Sequence, residues 1–196
     1  IEALATSRDA AAARKHFGLK PDVVTLLVTG GSLGAKRIND TIEASRKALS
    51  AAGVQVLHIV GSRSELPEVS EPGYSRIAYC DRMDLAIAAA DIAVARAGAS
   101  TVSEFSAIGL PAIYVPYAVG NGEQAKNAKT VVDAGGAVLV ADANFTADYV
   151  QSVVIPLVSS TKQIKSMAAA AKSVGVIDGT KRLFELVQSV LKPTRA

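Results

Sequence analysis

Two segments of this 196-residue chain combine glycines, hydroxyls and a carboxylate in a pattern that suits a phosphorylated ligand. The first, RAGASTVSEFSAIGLPAIYVPY at 96–117, reads as the end of a strand, a tight turn at Gly98, a helix opened by Ala99, Ser100 and Thr101, and a further strand. The second, GGSLGA at 30–35, also follows a strand and opens a helix. Amides at a helix N-terminus have no intrahelical partner, so each turn is a ready anion site. Glu104, one turn into its helix, can accept hydrogen bonds from a ribose diol. Together the segments describe a pocket for a nucleotide diphosphate.

Each motif has a competing reading. Gly30, Ser32 and Gly34 satisfy the G-x-S-x-G of a hydrolase nucleophile elbow, but the only later histidine, His58, falls within the next strand. A dinucleotide fingerprint needs glycine where Ser32 stands, and a Walker loop needs Gly-Lys where Gly34-Ala35 stands. What remains is a phosphate-facing turn carrying a serine hydroxyl, or a plain strand-to-helix connection with Ser32 as N-cap. Thr101-x-x-Glu104 matches a capping box, which would by itself account for both residues. Arg96 is placed to reach a phosphate or to brace a loop. In NGEQAKNA at 121–128, Gln124 and Asn127 share a helix face three residues apart and suit sugar hydroxyls, or form a solvated helix start. Asp81 and Asp84 do not make the close acid-x-acid pair of metal-dependent sugar-nucleotide enzymes, so no metal and no cofactor is expected.

The elements that must position these residues alternate along the chain. Apolar runs at 23–29, 54–60, 76–79, 91–95, 112–115 and 137–140 lack polar alternation, as strands covered on both faces do. Helical patterns lie between and after them, at 35–52, 84–90, 101–108, 123–134, 146–158, 162–173 and 180–191, with a first helix from about Arg8 to His16. Residues 62–73, with two prolines and three glutamates, read as a flexible loop. This alternation predicts an α/β fold with a doubly wound parallel sheet, in which ligands bind outside the carboxyl ends of the strands. The two glycine turns and the loops at 79–83 and 116–122 all follow strands, and so gather at that edge.

Composition narrows the classes. With 49% hydrophobic and 20% charged residues the chain is ordinary for a globular domain, and all of 1–196 reads as one. A net charge of +3 comes from scattered Lys and Arg, and there is no Trp, so a nucleic-acid partner is not expected. One cysteine, Cys80, excludes an internal disulfide, and two histidines are too few for most His-based metal sites. The longest apolar stretch, 85–95, is far short of the ~20 residues of a membrane span.

TLLVTGGSLGA, DRM, ARAGASTVSE, AIGLPAIYVPY and NGEQAKNA, in this order, closely resemble the donor-binding half of the peptidoglycan N-acetylglucosaminyltransferases. The resemblance implies a Rossmann-like domain that is the C-terminal half of a GT-B glycosyltransferase. It implies UDP-GlcNAc as donor and the undecaprenyl-linked muramoyl-pentapeptide, lipid I, as acceptor, giving lipid II with inversion at the sugar. The acceptor-binding N-terminal domain, the catalytic base and the contact with the cytoplasmic face of the membrane would then belong to the other half, leaving no catalytic residue in this chain.

Carried over residue by residue, Gly31, Ser32 and Gly34 would contact the diphosphate. The Cys80 backbone would read the uracil edge, with Tyr79 beside the base and Met83 in the same loop. The turn and helix start formed by Gly98, Ala99, Ser100, Thr101, Val102 and Ser103 would meet phosphates and sugar. Glu104 would hold the ribose, and Glu123, Gln124 and Asn127 the GlcNAc hydroxyls. The same residues also suit a donor-binding subunit of a split transferase, or a non-catalytic nucleotide-sugar-binding module. A related epimerase would need an acid/base constellation that this sequence lacks.

Overall fold

The computed structural model describes residues 9–119 and 121–191, and Arg8 and Gly120 lie outside them. The elements run α1 (Ala10–His16), β1 (Thr25–Thr29), α2 (Lys36–Ala51), β2 (Gln55–Ile59), β3 (Val69–Glu71), β4 (Tyr74–Ile77), α3 (Met83–Ala89), β5 (Ile92–Ala95), α4 (Ala99–Ile108), β6 (Ala112–Tyr114), α5 (Glu123–Asp133) and β7 (Ala137–Leu139). A short 3₁₀ turn (Asp142–Asn144) follows. Next come α6 (Ala147–Tyr149), a π-helical stretch (Val150–Val154), α7 (Ile155–Val158), α8 (Thr161–Val174) and α9 (Gly179–Leu191).

The sheet has seven strands in the order β3-β4-β2-β1-β5-β6-β7. Every pairing is parallel except β3 with β4. The chain leaves β1 toward β2 on one side and reaches β5 on the other, so the winding reverses between β1 and β5. That reversal is the topological switch point, where open α/β sheets bind ligands.

Strand residues alternate between two apolar layers, as side chains on a pleated strand must. Leu27, Leu57, Ala93, Ala95 and Tyr114 pack with Val102 and Phe105 of α4 and Ala128 and Val131 of α5. Leu26, Val28, Val56, Val94 and Ile113 pack with Ile38, Ile42 and Leu49 of α2 and with Val150, Val154 and Val158. All five residues of β1 are buried, which explains its unbroken apolar reading. Asp91, which interrupts the apolar stretch at 85–95, accepts from the Thr25 amide at 2.8 Å and from Arg14 at 2.7 Å.

Three expectations need correction. The stretch 62–73 is not simply a loop, because Val69–Glu71 pairs antiparallel with β4 as an edge strand. Two of its three residues are exposed, so it has no hydrophobic pattern to announce it. The helix expected over 146–158 is broken into α6, the π stretch and α7. Pro156 has no amide to donate and its ring crowds the preceding turn, so the ladder loosens ahead of it. The helix expected from Thr101 begins at Ala99, with Gly98 as its N-cap.

The glycine turn after β1 is held from behind by the turn after β2. Gly34 has φ +88°, and a Cβ there would lie well inside contact with the Val60 carbonyl oxygen. Gly61, at φ +88°, faces the Gly34 backbone in the same way. Ser62 donates its amide and hydroxyl to the Ser32 carbonyl at 2.9 and 3.1 Å. Gly31 shares the positive φ, at +87°, but a Cβ there would meet nothing within 4 Å.

A buried polar chain underlies this contact. His58, fully buried in β2, lies 2.8 Å from the Tyr74 hydroxyl through Nδ1 and 3.1 Å from Asn39 Oδ1 through Nε2. Burial, reinforced by the guanidinium groups of Arg76 and Arg46, pushes His58 down to about 3.

Two outcomes are expected. Gly31→Ala pays only the left-handed backbone cost of about 1–2 kcal/mol, whereas Gly34→Ala adds a backbone clash and loses more than ~3 kcal/mol, as urea unfolding would measure. Second, neutral His58 is favoured in the fold while the unfolded chain takes up a proton near pH 6.5. Its contribution is therefore complete above pH 6.5 and lost as pH falls toward 3, by up to roughly 1.4 kcal/mol per pH unit. His58→Gln should flatten the pH dependence of stability in that window.

Candidate functional site

At the switch point the backbones leaving β1 and β5 run side by side, with the Arg96 amide donating to the Thr29 carbonyl at 3.4 Å. From there each chain turns into a helix aimed back at the same crevice. The α2 N-cap is Ala35 and the α4 N-cap is Gly98, and neither helix has a side-chain cap. Ser32 is therefore not the N-cap of α2, and its side chain is exposed on the turn. With the four orphan amides of each helix start unsatisfied by side chains, two positive dipole ends converge.

The capping-box reading of Thr101 and Glu104 does not survive this geometry. With Gly98 as N-cap, Thr101 lies inside the first turn and Glu104 a full turn deeper. Among the described residues no hydrogen bond or ion pair engages the Glu104 carboxylate, which is half-buried and lines a cavity.

Two adjoining cavities share Thr29, Gly31, Ser32 and Thr101 as a common wall. The smaller, about 180 Å³, is completed by Ile59, Tyr79, Cys80, Met83, Glu104 and Phe105. The larger, about 800 Å³, is completed by Gly34, Lys36, Arg37, Asp40, Arg96, Gly98, Tyr117, Gln124 and Asp142 among others. The larger is of a size that suits a small-molecule ligand. Cys80 is buried, and that burial pushes its thiol up, so its side chain presents no ready thiolate.

The structure thus brings Gly31, Ser32, Gly34, Tyr79, Cys80, Met83, Gly98, Thr101, Glu104 and Gln124 to one continuous crevice. The remaining sequence candidates do not line either cavity. Val102 points into the core, and its amide is spent on the Gly98 carbonyl at 3.0 Å. Ala99, Ser100, Ser103 and Glu123 are exposed beside the crevice. Asn127 donates to the Ala97 carbonyl at 3.1 Å, holding the turn before α4. Gln124 accepts from the Tyr117 amide at 2.9 Å, so it ties the loop after β6 to α5 while keeping its amide nitrogen.

Arg96 braces rather than reaches out. Its guanidinium donates to the carbonyls of Val115 and Pro116, both at 3.0 Å, and to Asp142 at 2.5 Å. Asp142 also accepts from Arg37 at 3.1 Å, so one carboxylate joins the ends of β5 and β7 to the start of α2. Sequence reasoning missed Arg37 and Asp142. They are 105 residues apart, and no local spacing signals the pair. Among the described residues no group of three or more His, Cys, Asp or Glu side chains could hold a metal ion, and no helix is long and apolar enough to cross a membrane.

Residues 25–183 match the glycosyltransferase family 28 C-terminal domain. A protein of Leifsonia xyli subsp. xyli named UDP-N-acetylglucosamine--N-acetylmuramyl-(pentapeptide) pyrophosphoryl-undecaprenol N-acetylglucosamine transferase is 54% identical over 180 residues, covering 92% of this chain and 50% of that protein. The equivalent protein of Clavibacter sepedonicus is 50% identical over 186 residues, covering 94% of this chain and 51% of that protein. The chain thus spans about half the length of these curated relatives. Among solved structures, Acinetobacter baumannii MurG superposes with a TM-score of 0.77 at 23% identity, over 95% of this chain and 55% of that one. The calicheamicin glycosyltransferase CalG4 superposes at 0.64 with 16% identity, over 88% of this chain and 45% of that one, so the architecture is that of half a GT-B glycosyltransferase. A doubly wound sheet with two uncapped helix starts at its switch point, a family match over most of the length and relatives at 50–54% identity together place this chain in the glycosyltransferase family 28 C-terminal domain family.

Proposed function

We propose that this domain binds the UDP-GlcNAc donor for inverting transfer of GlcNAc to lipid I, which yields lipid II. The observation that carries this reading is the convergence of two uncapped helix N-termini, α2 and α4, beside the unengaged carboxylate of Glu104. The diphosphate sits against the Ser32 hydroxyl, the turn amides and the first amides of α4. Each helix end contributes up to about 2 kcal/mol toward an anion in partly buried geometry. The same dipoles stabilise UDP as it departs, because its negative charge grows as the bond to the sugar breaks.

The smaller cavity takes the nucleoside. Glu104 accepts from the ribose hydroxyls, the Cys80 backbone meets the uracil edge, and Tyr79 and Met83 flank the base. The larger cavity takes the sugar, with Gln124 at its hydroxyls. The names of the relatives support this donor and acceptor, and their doubled length leaves room for a separate acceptor domain, to which we assign the base and the membrane contact. Apolar side chains left exposed on α9, among them Leu183, Phe184, Leu186 and Val190, suit contact with further protein. The working place of such an assembly is the cytoplasmic face of the membrane, where the lipid acceptor resides.

Calorimetric titration with UDP-GlcNAc, UDP-GalNAc and NADH tests the reading. Binding of UDP-GlcNAc, weaker binding of UDP-GalNAc and no heat from NADH are expected. Silence toward every UDP-sugar would sink it. Glu104→Gln should cost about 1.5–3 kcal/mol of UDP affinity, as for hydrogen bonds to a charged group. It should leave the melting temperature unchanged, because Glu104 caps nothing, and leave binding of 2′,3′-dideoxy-UDP unaffected.

A further inference from the structure

The buried chain behind the glycine turn lines neither ligand cavity, yet it ends on the carbonyl against which that turn packs. Its proton arrangement follows from its donors and acceptors. The Val60 carbonyl can only accept, so the Asn39 group 2.8 Å from it is the amide nitrogen. Asn39 Oδ1 therefore faces His58 Nε2, 3.1 Å away, and since that oxygen only accepts, Nε2 carries the proton. Neutral His58 then has an acceptor at Nδ1, and the Tyr74 hydroxyl donates to it at 2.8 Å. One arrangement satisfies every member of the chain.

The far end bears on the site. The Val60 carbonyl receives both Asn39 and the close approach of Gly34. Two residues on, Ser62 clasps the Ser32 carbonyl with its amide and hydroxyl. Asn39 itself lies on α2, one turn in from the uncapped amides. Its side chain therefore couples the start of α2 to the end of β2, and His58 holds that side chain in its working orientation. We propose that His58 is a positioning residue for the diphosphate turn, acting through Asn39 on the backbone at Val60 to Ser62. This rests on the reading of the crevice as a UDP site.

Three variants separate this role from a merely structural one. His58→Gln keeps a donor near the Nε2 position, His58→Leu removes it at similar volume, and Tyr74→Phe removes only the outer donor. UDP affinity is read by calorimetry. Amide exchange at Gly34 and Ser62, relative to Leu27 in β1, reads the turn itself. His58→Leu should bind UDP about tenfold more weakly, the loss expected when a buried acceptor is left unpaired. It should also speed exchange at Gly34 and Ser62 selectively. His58→Gln should restore both readouts, and Tyr74→Phe should lower stability without moving UDP affinity.

Wild-type UDP affinity and unaltered relative exchange in His58→Leu, however large its loss of stability, would overturn the proposal. If His58→Leu does not fold, the ¹⁵N spectrum of the wild-type imidazole decides. A proton on Nε2 supports the chain of hydrogen bonds, and a proton on Nδ1 refutes it. If the wild-type chain binds no UDP, the reading of the crevice fails instead, and the exchange comparison of the Gln and Leu variants still tests the link from His58 to the turn.

Discussion

The structure turns on one close approach, that of the Gly34 backbone to the Val60–Gly61 backbone. No side chain fits between them, so the two loops that leave β1 and β2 lock at a spacing only glycine permits. That spacing sets where Ser32 stands and where the first amides of α2 point. Because β1 is the central strand, buried along its whole length, the turn inherits the rigidity of the sheet beneath it. A binding surface made of backbone amides needs this rigidity, since amides cannot be re-aimed by a change of rotamer.

Polar groups in the molecule divide sharply into those already committed and those left available. Arg96, Asp142, Asn127, Asn39 and His58 spend their hydrogen bonds on carbonyls and on neighbouring side chains; Arg96 and Asp142 form part of the crevice wall, and the others support it from behind. The helix starts and Glu104 have no such side-chain commitments among the described residues. On the proposed reading, magnitudes favour these free groups as the source of affinity. The Lys36–Asp40 pair at the mouth leaves the lysine side chain 88% exposed, and such surface pairs are worth about 0–1 kcal/mol. Two helix ends and a half-buried carboxylate outweigh it.

Architecture alone does not select the ligand. CalG4 shares the fold at 16% identity, and a common fold carries many substrates on the same sheet. What distinguishes this chain is the set of side chains placed at the switch point, all of them held at one sheet edge. On the proposed reading, donor recognition needs only this one edge, whereas transfer needs a second surface to carry the acceptor.

Much of this was legible in the chain itself. The doubly wound sheet follows from apolar runs alternating with helical periodicity, and the crevice from glycine turns that close one strand and open a helix. Local sequence determines such features because they depend on backbone freedom and on neighbours a few residues away. The tertiary structure decided the rest. Thr101–Glu104 reads as a capping box or as a ligand contact, and only the placement of the helix start at Gly98 settles that it caps nothing. The edge strand β3 forms because β4 offers it a partner, not because its residues demand it. The clasp of Arg37 and Arg96 on Asp142, and the chain from Tyr74 through His58 and Asn39 to Val60, join residues far apart in sequence. Such contacts exist only once the sheet has brought its strand ends together, so no spacing along the chain encodes them.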